Sequence, residues 1–479
     1  MVMGEATIDT DLAIIGAGPG GYAAAFRAAD LGLDVTMIDQ DERLGGVCLL
    51  RGCIPSKALL HVTELLSDAR EAGEFGLDFG EPKIDIARIR DWKNQVIDRL
   101  VNGLVTLSKQ REVQLVQGRA TFEGPDRLRV RGKNTTHVKF KHAILATGSR
   151  AISLPGTSFE KSGRIMSSTG ALALADIPET LLVVGAGYVG MELGSVYASL
   201  GSRVTVVEMM GEILPGADRD LVRPLERRSG ELFEAVYLKT KVAEMKDQNG
   251  KVEVVLEGDV PEARQSFDRV LVAIGRRPNT EDIGLEHTAV ELDERGFVKV
   301  NEQQRTADER ILAIGDVVGG MMLAHKAMYE GKVAAEVLAG QPAAFDVVAI
   351  PAVVYTDPQI AWAGLMENEA KEKGIEVQAS RFPWRASGRA LTMAAPEGVT
   401  KMVFDPQTER ILGVGIVGRQ AEDLIGEGVL AIEMGALASD VSLSIHPHPT
   451  LTETAEEAAG AFLGDATHIL SPRKAAGKK

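Results

Sequence analysis

The chain has almost no cysteine: 479 residues hold two, Cys48 and Cys53. That excludes the disulfide framework that staples small secreted domains. No histidine lies between the two, and a structural metal site wants roughly four Cys or His ligands, so no metal is expected. Long apolar runs are also missing, none approaching the ~18 residues of a membrane span. Basic residues are in deficit, 53 Lys and Arg against 68 Asp and Glu, for a net charge of −15. This argues against non-specific nucleic-acid binding, which neutralises phosphates with Lys and Arg. It suits a docking partner that is basic. The N-terminal MVMGEATIDTD is acidic and short, without the features of a signal or transit peptide. The expected compartment is the cytoplasm, or the mitochondrial matrix if a transit peptide has been removed. In a reducing compartment a close cysteine pair is more often catalytic, redox-active or metal-binding than structural.

Two segments of the chain are alike. DLAIIGAGPGGYAAAFRAADLGLDVTMIDQ spans residues 11 to 40, and LLVVGAGYVGMELGSVYASLGSRVTVVEMM spans residues 181 to 210. Each reads as an apolar strand, a glycine-rich turn, a small-residue helix and a second strand ending in an acid. That is the β-α-β unit of a dinucleotide fold. In the first, Gly16, Gly18 and Gly21 precede Asp39; in the second, Gly185, Gly187 and Gly190 precede Glu208. The first glycine allows the tight turn, the second admits a pyrophosphate, and the third packs helix on strand. The helix N-terminus offers free N–H groups and the positive end of its dipole. The terminal acid accepts from ribose hydroxyls. Glu208 would repel a 2′-phosphate and no arginine pair follows it, so the second site is expected to prefer NAD to NADP.

HAILATGSRAISLPG, RVLVAIGRRPN and RILAIGDVVGG read as strands ending in glycine turns, the last placing Asp316 just after Gly315. From about residue 350 the segments IPAVVYTDPQIAWAGL and ERILGVGIVG suggest strands of a mixed sheet in a separate domain. The tail PRKAAGKK is basic and is expected to be disordered.

The cysteines lie in GGVCLLRGCIPSKALL, residues 45 to 60. A static disulfide closing so small a loop would add little stability, and two inert buried thiols are a further alternative. A redox role explains more of the surroundings. Pro55 suits the first turn of a helix, which puts Cys53 at a helix N-terminus where the dipole stabilises a thiolate. Lys57 adds a positive charge one turn on. Thiol–disulfide exchange also needs a base, since only a thiolate attacks. HPHPTLTETAEEAA offers His448, with Glu453 five residues later to fix its tautomer. The competing reading is a pair of turn histidines held by prolines. The histidines outside this segment lack an acid in a comparable setting.

GGVCLLRGCIPSKALLH, GAGYVGMELGS, AIGRRPNT, AIGDVVGGMMLAHKA and HPHPTLTE follow one another in an order that resembles the pyridine nucleotide–disulfide oxidoreductases. The likeness runs from about residue 8 to about residue 465, and within the family it is to the enzymes that oxidise dihydrolipoyl groups. It implies an α/β fold with two Rossmann-like domains, a central domain and a C-terminal α+β dimerisation domain. The divisions expected are 1–150 for FAD, 151–278 for NAD, 279–349 completing the FAD site, and 350–479 for the interface. It implies an obligate homodimer, one tightly held non-covalent FAD per subunit, and NAD as co-substrate. Partners would be a lipoyl-bearing acyltransferase of a 2-oxo acid dehydrogenase complex or the lipoyl carrier protein of the glycine cleavage system.

By motif, Cys48 would be the interchange cysteine and Cys53 the one against the flavin. His448 would be the base and Glu453 its orienter, serving the cysteines of the other subunit. Gly16, Gly18, Gly21, Asp39, Lys57, Ala120, Gly148, Asp316 and Ala324 would hold FAD. Gly185, Gly187, Gly190, Glu192, Glu208, Val242, Gly275 and Arg276 would form the NAD side, with Lys57 paired to Glu192. Val47, Leu49 and Asp39 depart from the usual threonine, asparagine and glutamate; the first removes a hydroxyl near the flavin.

The nearest rival is a small-disulfide reductase such as glutathione reductase, which usually favours NADPH and carries basic residues where this chain has Glu208-Met209-Met210. Mercuric reductases and the large thioredoxin reductases are disfavoured by the absence of a C-terminal cysteine pair. A rival of another class is a subunit that only docks on an acyltransferase core.

Overall fold

The computed structural model describes residues 6–160 and 162–470. The tail PRKAAGKK lies outside them. The first β-α-β unit is β1 (Ala6–Ile15), α1 (Pro19–Asp30) and β2 (Val35–Asp39). After it come α2 (Gly46–Arg51), α3 (Cys53–Glu71) and α4 (Ile86–Gln110). Strands β3 (Gln114–Gln117), β4 (Arg119–Gly124), β5 (Arg127–Arg131) and β6 (Thr135–Leu145) complete the run. The sheet order is β3-β2-β1-β6-β5-β4. Leu12, Ala13, Ile14, Ala143, Ile144 and Leu145 are all buried, the near-continuous apolar pattern of parallel strands covered on both faces.

The strand Ile311–Ala313 pairs in parallel with the C-terminal end of β6. The run RILAIGDVVGG therefore returns to the first sheet from more than 160 residues away and delivers Asp316 to its edge. Two crossings tie the units. Ser149–Ala151 pairs antiparallel with Arg276–Pro278, and Thr147 and Asn279 exchange hydrogen bonds of 2.8 and 2.9 Å.

The second repeat forms its own parallel sheet. Thr180–Val184 lies between Arg203–Val207 and Arg269–Val272, with Ala235–Tyr237 and Ile165–Met166 at the edges. The last third does not form the mixed sheet expected. Its five strands run antiparallel throughout, in the order 352–354, 360–364, 411–417, 399–404, 378–383. The reason is local: Val399–Phe404 and Ile411–Val417 are joined by a short turn, which only an antiparallel pair allows.

A buried ion cluster joins this last third to the second unit. Lys401 is 1% exposed. Its ammonium lies 2.5 Å from Asp218 and 3.0 Å from Asp220, and also meets Glu367. Arg381 bridges Asp220 and Glu367 from the outside. Asp218 and Asp220 belong to the second unit, whereas Glu367, Arg381 and Lys401 belong to the last third.

Candidate active site

A cavity of about 850 Å³ opens where the two β-α-β units meet. Gly16, Gly18, Asp39, Lys57, Ala120, Gly148, Asp316 and Ala324 line it together with Cys48 and Cys53. Gly21 stands behind this wall, and its role is steric. A Cβ there would fall 1.8 Å from the Gly16 carbonyl oxygen. The second repeat has the same device, a Cβ on Gly190 falling 1.9 Å from the Gly185 oxygen. Gly16 and Gly185 take φ values of +113° and +105°, a region glycine enters freely. Around Gly18 and Gly187 the space is open, so each helix N-terminus can be approached closely by a diphosphate.

The acids match as well. Asp39 accepts hydrogen bonds from the N–H groups of Ala17 and Asp41 at 2.6 and 2.8 Å. Glu208 accepts from Ala186 and Met210, both at 2.7 Å. Each carboxylate therefore braces its own glycine turn. Burial raises the Asp39 pKa above its ordinary value even though both N–H groups oppose it. At the far side of the cavity Asp316 accepts from the Ser149 hydroxyl. Arg276 donates to that hydroxyl and to the Ser149 carbonyl, both at 2.7 Å. The first glycine cradle, two helix N-termini (α1 and Ala324–Leu338) and a cavity lined from Asp39 to the cysteines fit a dinucleotide.

The residues expected on the NAD side divide. Glu192 and Arg276 line the same cavity as the first set. Gly185, Gly187, Gly190 and Glu208 form the second cradle. Gly275 turns the chain at φ +121°. Val242 packs against the apolar core around Val272 and Leu256 and does not line the cavity.

Two helices present the cysteines. Cys48 sits on α2 and Cys53 begins α3, with Gly52 between them. A Cβ on Gly52 would meet the Val47 carbonyl at 2.8 Å, so only glycine lets the chain fold the two thiols together. They are present as free thiols. Their pKa values are pushed apart. The Cys48 thiol hydrogen-bonds to Cys53, and this bond with Lys57 brings Cys53 down to about 7 against the effect of burial. The same bond, with burial and the Cys53 charge, pushes the Cys48 thiol far up. Lys57 is placed by Glu192, whose carboxylate lies 2.9 Å away. Of the departures noted in the sequence, Val47 lines the cavity. Leu49 turns away from it, 6% exposed, against Ile97 and Val101 of α4.

His448 Nδ1 lies 2.8 Å from Glu453 Oε1. Burial opposes ionisation of Glu453, but the Thr450 N–H and His448 outweigh it and hold the carboxyl below its ordinary range. The His448 side chain is 74% exposed and does not line the cavity, so within one chain the base and the thiols stand apart. Acids also meet histidines where none was expected: Glu457 at His468 (2.6 Å), Glu123 at His137 (3.1 Å) and Glu427 at His446 (2.8 Å). Sequence reasoning also missed Ser149 and Tyr355. The Tyr355 ring lies 4.1 Å beneath the Lys57 ammonium, and its N–H donates to Glu192 at 3.0 Å. No spacing signal marks either residue.

The family model described as "Pyridine nucleotide-disulphide oxidoreductase" matches residues 10–331, and that family's dimerisation domain matches residues 350–459. A dihydrolipoyl dehydrogenase of Vibrio parahaemolyticus is 46% identical over 98% of this chain and 99% of its own. One from Geobacillus stearothermophilus is 44% identical over 98% of this chain and its whole length. Among solved structures, LpdA from Mycobacterium tuberculosis is 26% identical with a TM-score of 0.87, covering 94% of this chain and 99% of that one. An HOCl-induced flavoprotein disulfide reductase from Escherichia coli, RclA, is 26% identical with a TM-score of 0.84 over 94% and 99%.

Proposed function

The chain belongs to the pyridine nucleotide–disulphide oxidoreductases, and we propose that it oxidises protein-bound dihydrolipoyl groups to lipoyl with NAD⁺ as acceptor. The observation that carries this is the split thiol pair beside the dinucleotide cavity, with a histidine–carboxylate dyad elsewhere on the chain. FAD in the cavity would take an electron pair from the thiol side and supply it to NAD⁺ as hydride. Gly16, Gly18, Asp39 and Asp316 would hold FAD, and Gly187 and Glu208 would hold NAD. The chain would divide into four parts at 150, 278 and 349.

The protein's own groups perform the exchange. In the oxidised protein the two sulfurs are joined. His448 takes the proton of a substrate thiol on Nε2, and Glu453 holds the other nitrogen and stabilises the cation formed. The substrate thiolate bonds to Cys48 Sγ, the Cys48–Cys53 bond breaks, and Cys53 departs as thiolate. Its low pKa makes it the better leaving group. The second substrate thiol then displaces Cys48, which takes up the proton, and the dithiolane closes.

The exposed dyad is read as serving a second subunit. The dimerisation domain makes the protein a homodimer, and Leu430, Met434, Leu443 and Ile445 stand exposed in that part of the chain, Ile445 at 99%. His448 of the partner subunit would complete each site. No helix of the described residues is long and apolar enough to cross a membrane, and the setting proposed is the cytoplasm, docked on a lipoyl-bearing acyltransferase or carrier protein.

The test is NADH formation from dihydrolipoamide and NAD⁺, run beside NADPH oxidation with glutathione disulfide. Fast turnover in the first and silence in the second is expected. The reverse pattern would transfer the protein to the glutathione reductase reading.

A further inference from the structure

Two histidines share the loop that ends at helix Glu453–Leu463, and they are wired differently. His448 has one nitrogen bonded to Glu453, and its Nε2 has no partner among the described residues. His446 has both nitrogens engaged. Its Nδ1 lies 2.9 Å from the Ser444 carbonyl oxygen and 3.4 Å from Glu456 Oε2, and its Nε2 lies 2.8 Å from Glu427 Oε1. Carbonyl and carboxylate oxygens only accept. A neutral imidazole has one N–H, so it would turn a lone pair toward an oxygen lone pair. The doubly protonated ring satisfies every contact. The side chain is 8% exposed, which leaves little room for water to mediate.

We propose that His446 is held as an imidazolium at neutral pH and clamps the loop between helices Ala421–Glu433 and Glu453–Leu463, setting where His448 stands. This rests on the dithiol-oxidising reading above and adds a positioning residue to it. The charged groups facing the ring are Glu427 from the first helix and Glu456 from the second; Glu453 is taken up by His448. Burial lowers the basicity of His446, but Glu427, the Ser444 carbonyl and Glu456 outweigh it and raise the pKa. The sign follows. The clamp is complete below the unfolded value of ~6.5 and is released as pH rises through the raised folded value. His448 must be neutral to accept a proton, so the two rings work in opposite protonation states.

Histidine-selective ¹⁵N NMR of the intact flavoprotein at about pH 7 reads the ring directly. A doubly protonated imidazole that disappears in His446→Gln is expected; a neutral His446 overturns the proposal whatever the turnover. In kinetics, His446→Gln is expected to lower kcat/KM for dihydrolipoamide about tenfold, the loss of a charge-assisted bond, and to abolish the alkaline limb of its pH profile. Ferricyanide reduction by NADH, which needs no base, is expected to stay unchanged. Glu427→Gln keeps the histidine and is expected to move the alkaline limb down by about one pH unit. Profiles superposable on the parent in both variants overturn the clamp. Failure of the parent to oxidise dihydrolipoamide would instead overturn the functional reading, and the NMR result would still decide this one.

Discussion

Lys57 and Glu192, 135 residues apart in sequence, stand 2.9 Å apart at the floor of the cavity. They join α3 of the first unit to the helix Tyr188–Ser199 of the second, and the Tyr355 ring under the ammonium brings in the last third. The pair acts on Cys53 with opposite signs, Lys57 lowering its pKa and Glu192 raising it.

Lys57→Met is therefore expected to raise the Cys53 thiol from about 7 toward the ordinary ~8.5. The pH dependence of alkylation of the reduced protein reads this shift. An unmoved midpoint would remove Lys57 from the thiolate's surroundings.

Cys48→Ser takes away the sulfur proposed as the one the substrate attacks and leaves the cavity lining otherwise in place. Dithiol turnover should fall by roughly 10³-fold or more, while the protein stays yellow and still passes electrons from NADH to ferricyanide. Full dithiol turnover would sink the assignment of Cys48.

Glu453→Gln preserves an acceptor for His448 Nδ1 but not its charge. A loss of about 10²-fold in kcat with dihydrolipoamide is expected, within the usual range of base catalysis, with the melting temperature nearly unchanged. A parallel collapse of stability would make Glu453 a structural residue instead.

Gly21→Ala and Gly190→Ala place the same Cβ against the same kind of carbonyl oxygen, at 1.8 and 1.9 Å, in different glycine cradles. Gly21→Ala is expected to yield protein poor in FAD. Gly190→Ala should keep its flavin but bind NAD about 5- to 150-fold more weakly, as overpacking of about 1–3 kcal/mol implies. Flavin content and the KM for NAD separate the two outcomes.

Glu208→Ala removes the charge that would face a 2′-phosphate. The ratio of kcat/KM for NAD over NADP should drop by about tenfold or more. The Ala186 and Met210 N–H groups lose their acceptor at the same time, so a lower melting temperature accompanies the change. An unaltered ratio would place selectivity elsewhere.

The parts of the fold legible in the sequence are those with a local signature. The two β-α-β units announce themselves by glycine spacing, the reactive thiols by rarity and by the helix that follows them, and the His448–Glu453 dyad by a five-residue step. What stayed hidden depends on distant contact. Glu427 reaches His446 from the helix Ala421–Glu433, 19 residues upstream. Tyr355 reaches Glu192 from 163 residues away. Leu49 is next to a cysteine in sequence, yet it faces α4 because successive side chains on a helix point about 100° apart. The all-antiparallel order of the last sheet is not legible in the sequence because apolar runs alone do not reveal strand direction.

The Lys401 cluster makes this protein less modular than its repeated units suggest. Anyone grafting a foreign segment in place of the second unit would replace Asp218 and Asp220 while keeping Lys401 and Arg381. The graft would then leave a fully enclosed ammonium facing Glu367 alone, and breaking such a buried pair typically costs about 3–5 kcal/mol. A swap of that unit must carry those two aspartates across the border, although neither lines the cavity.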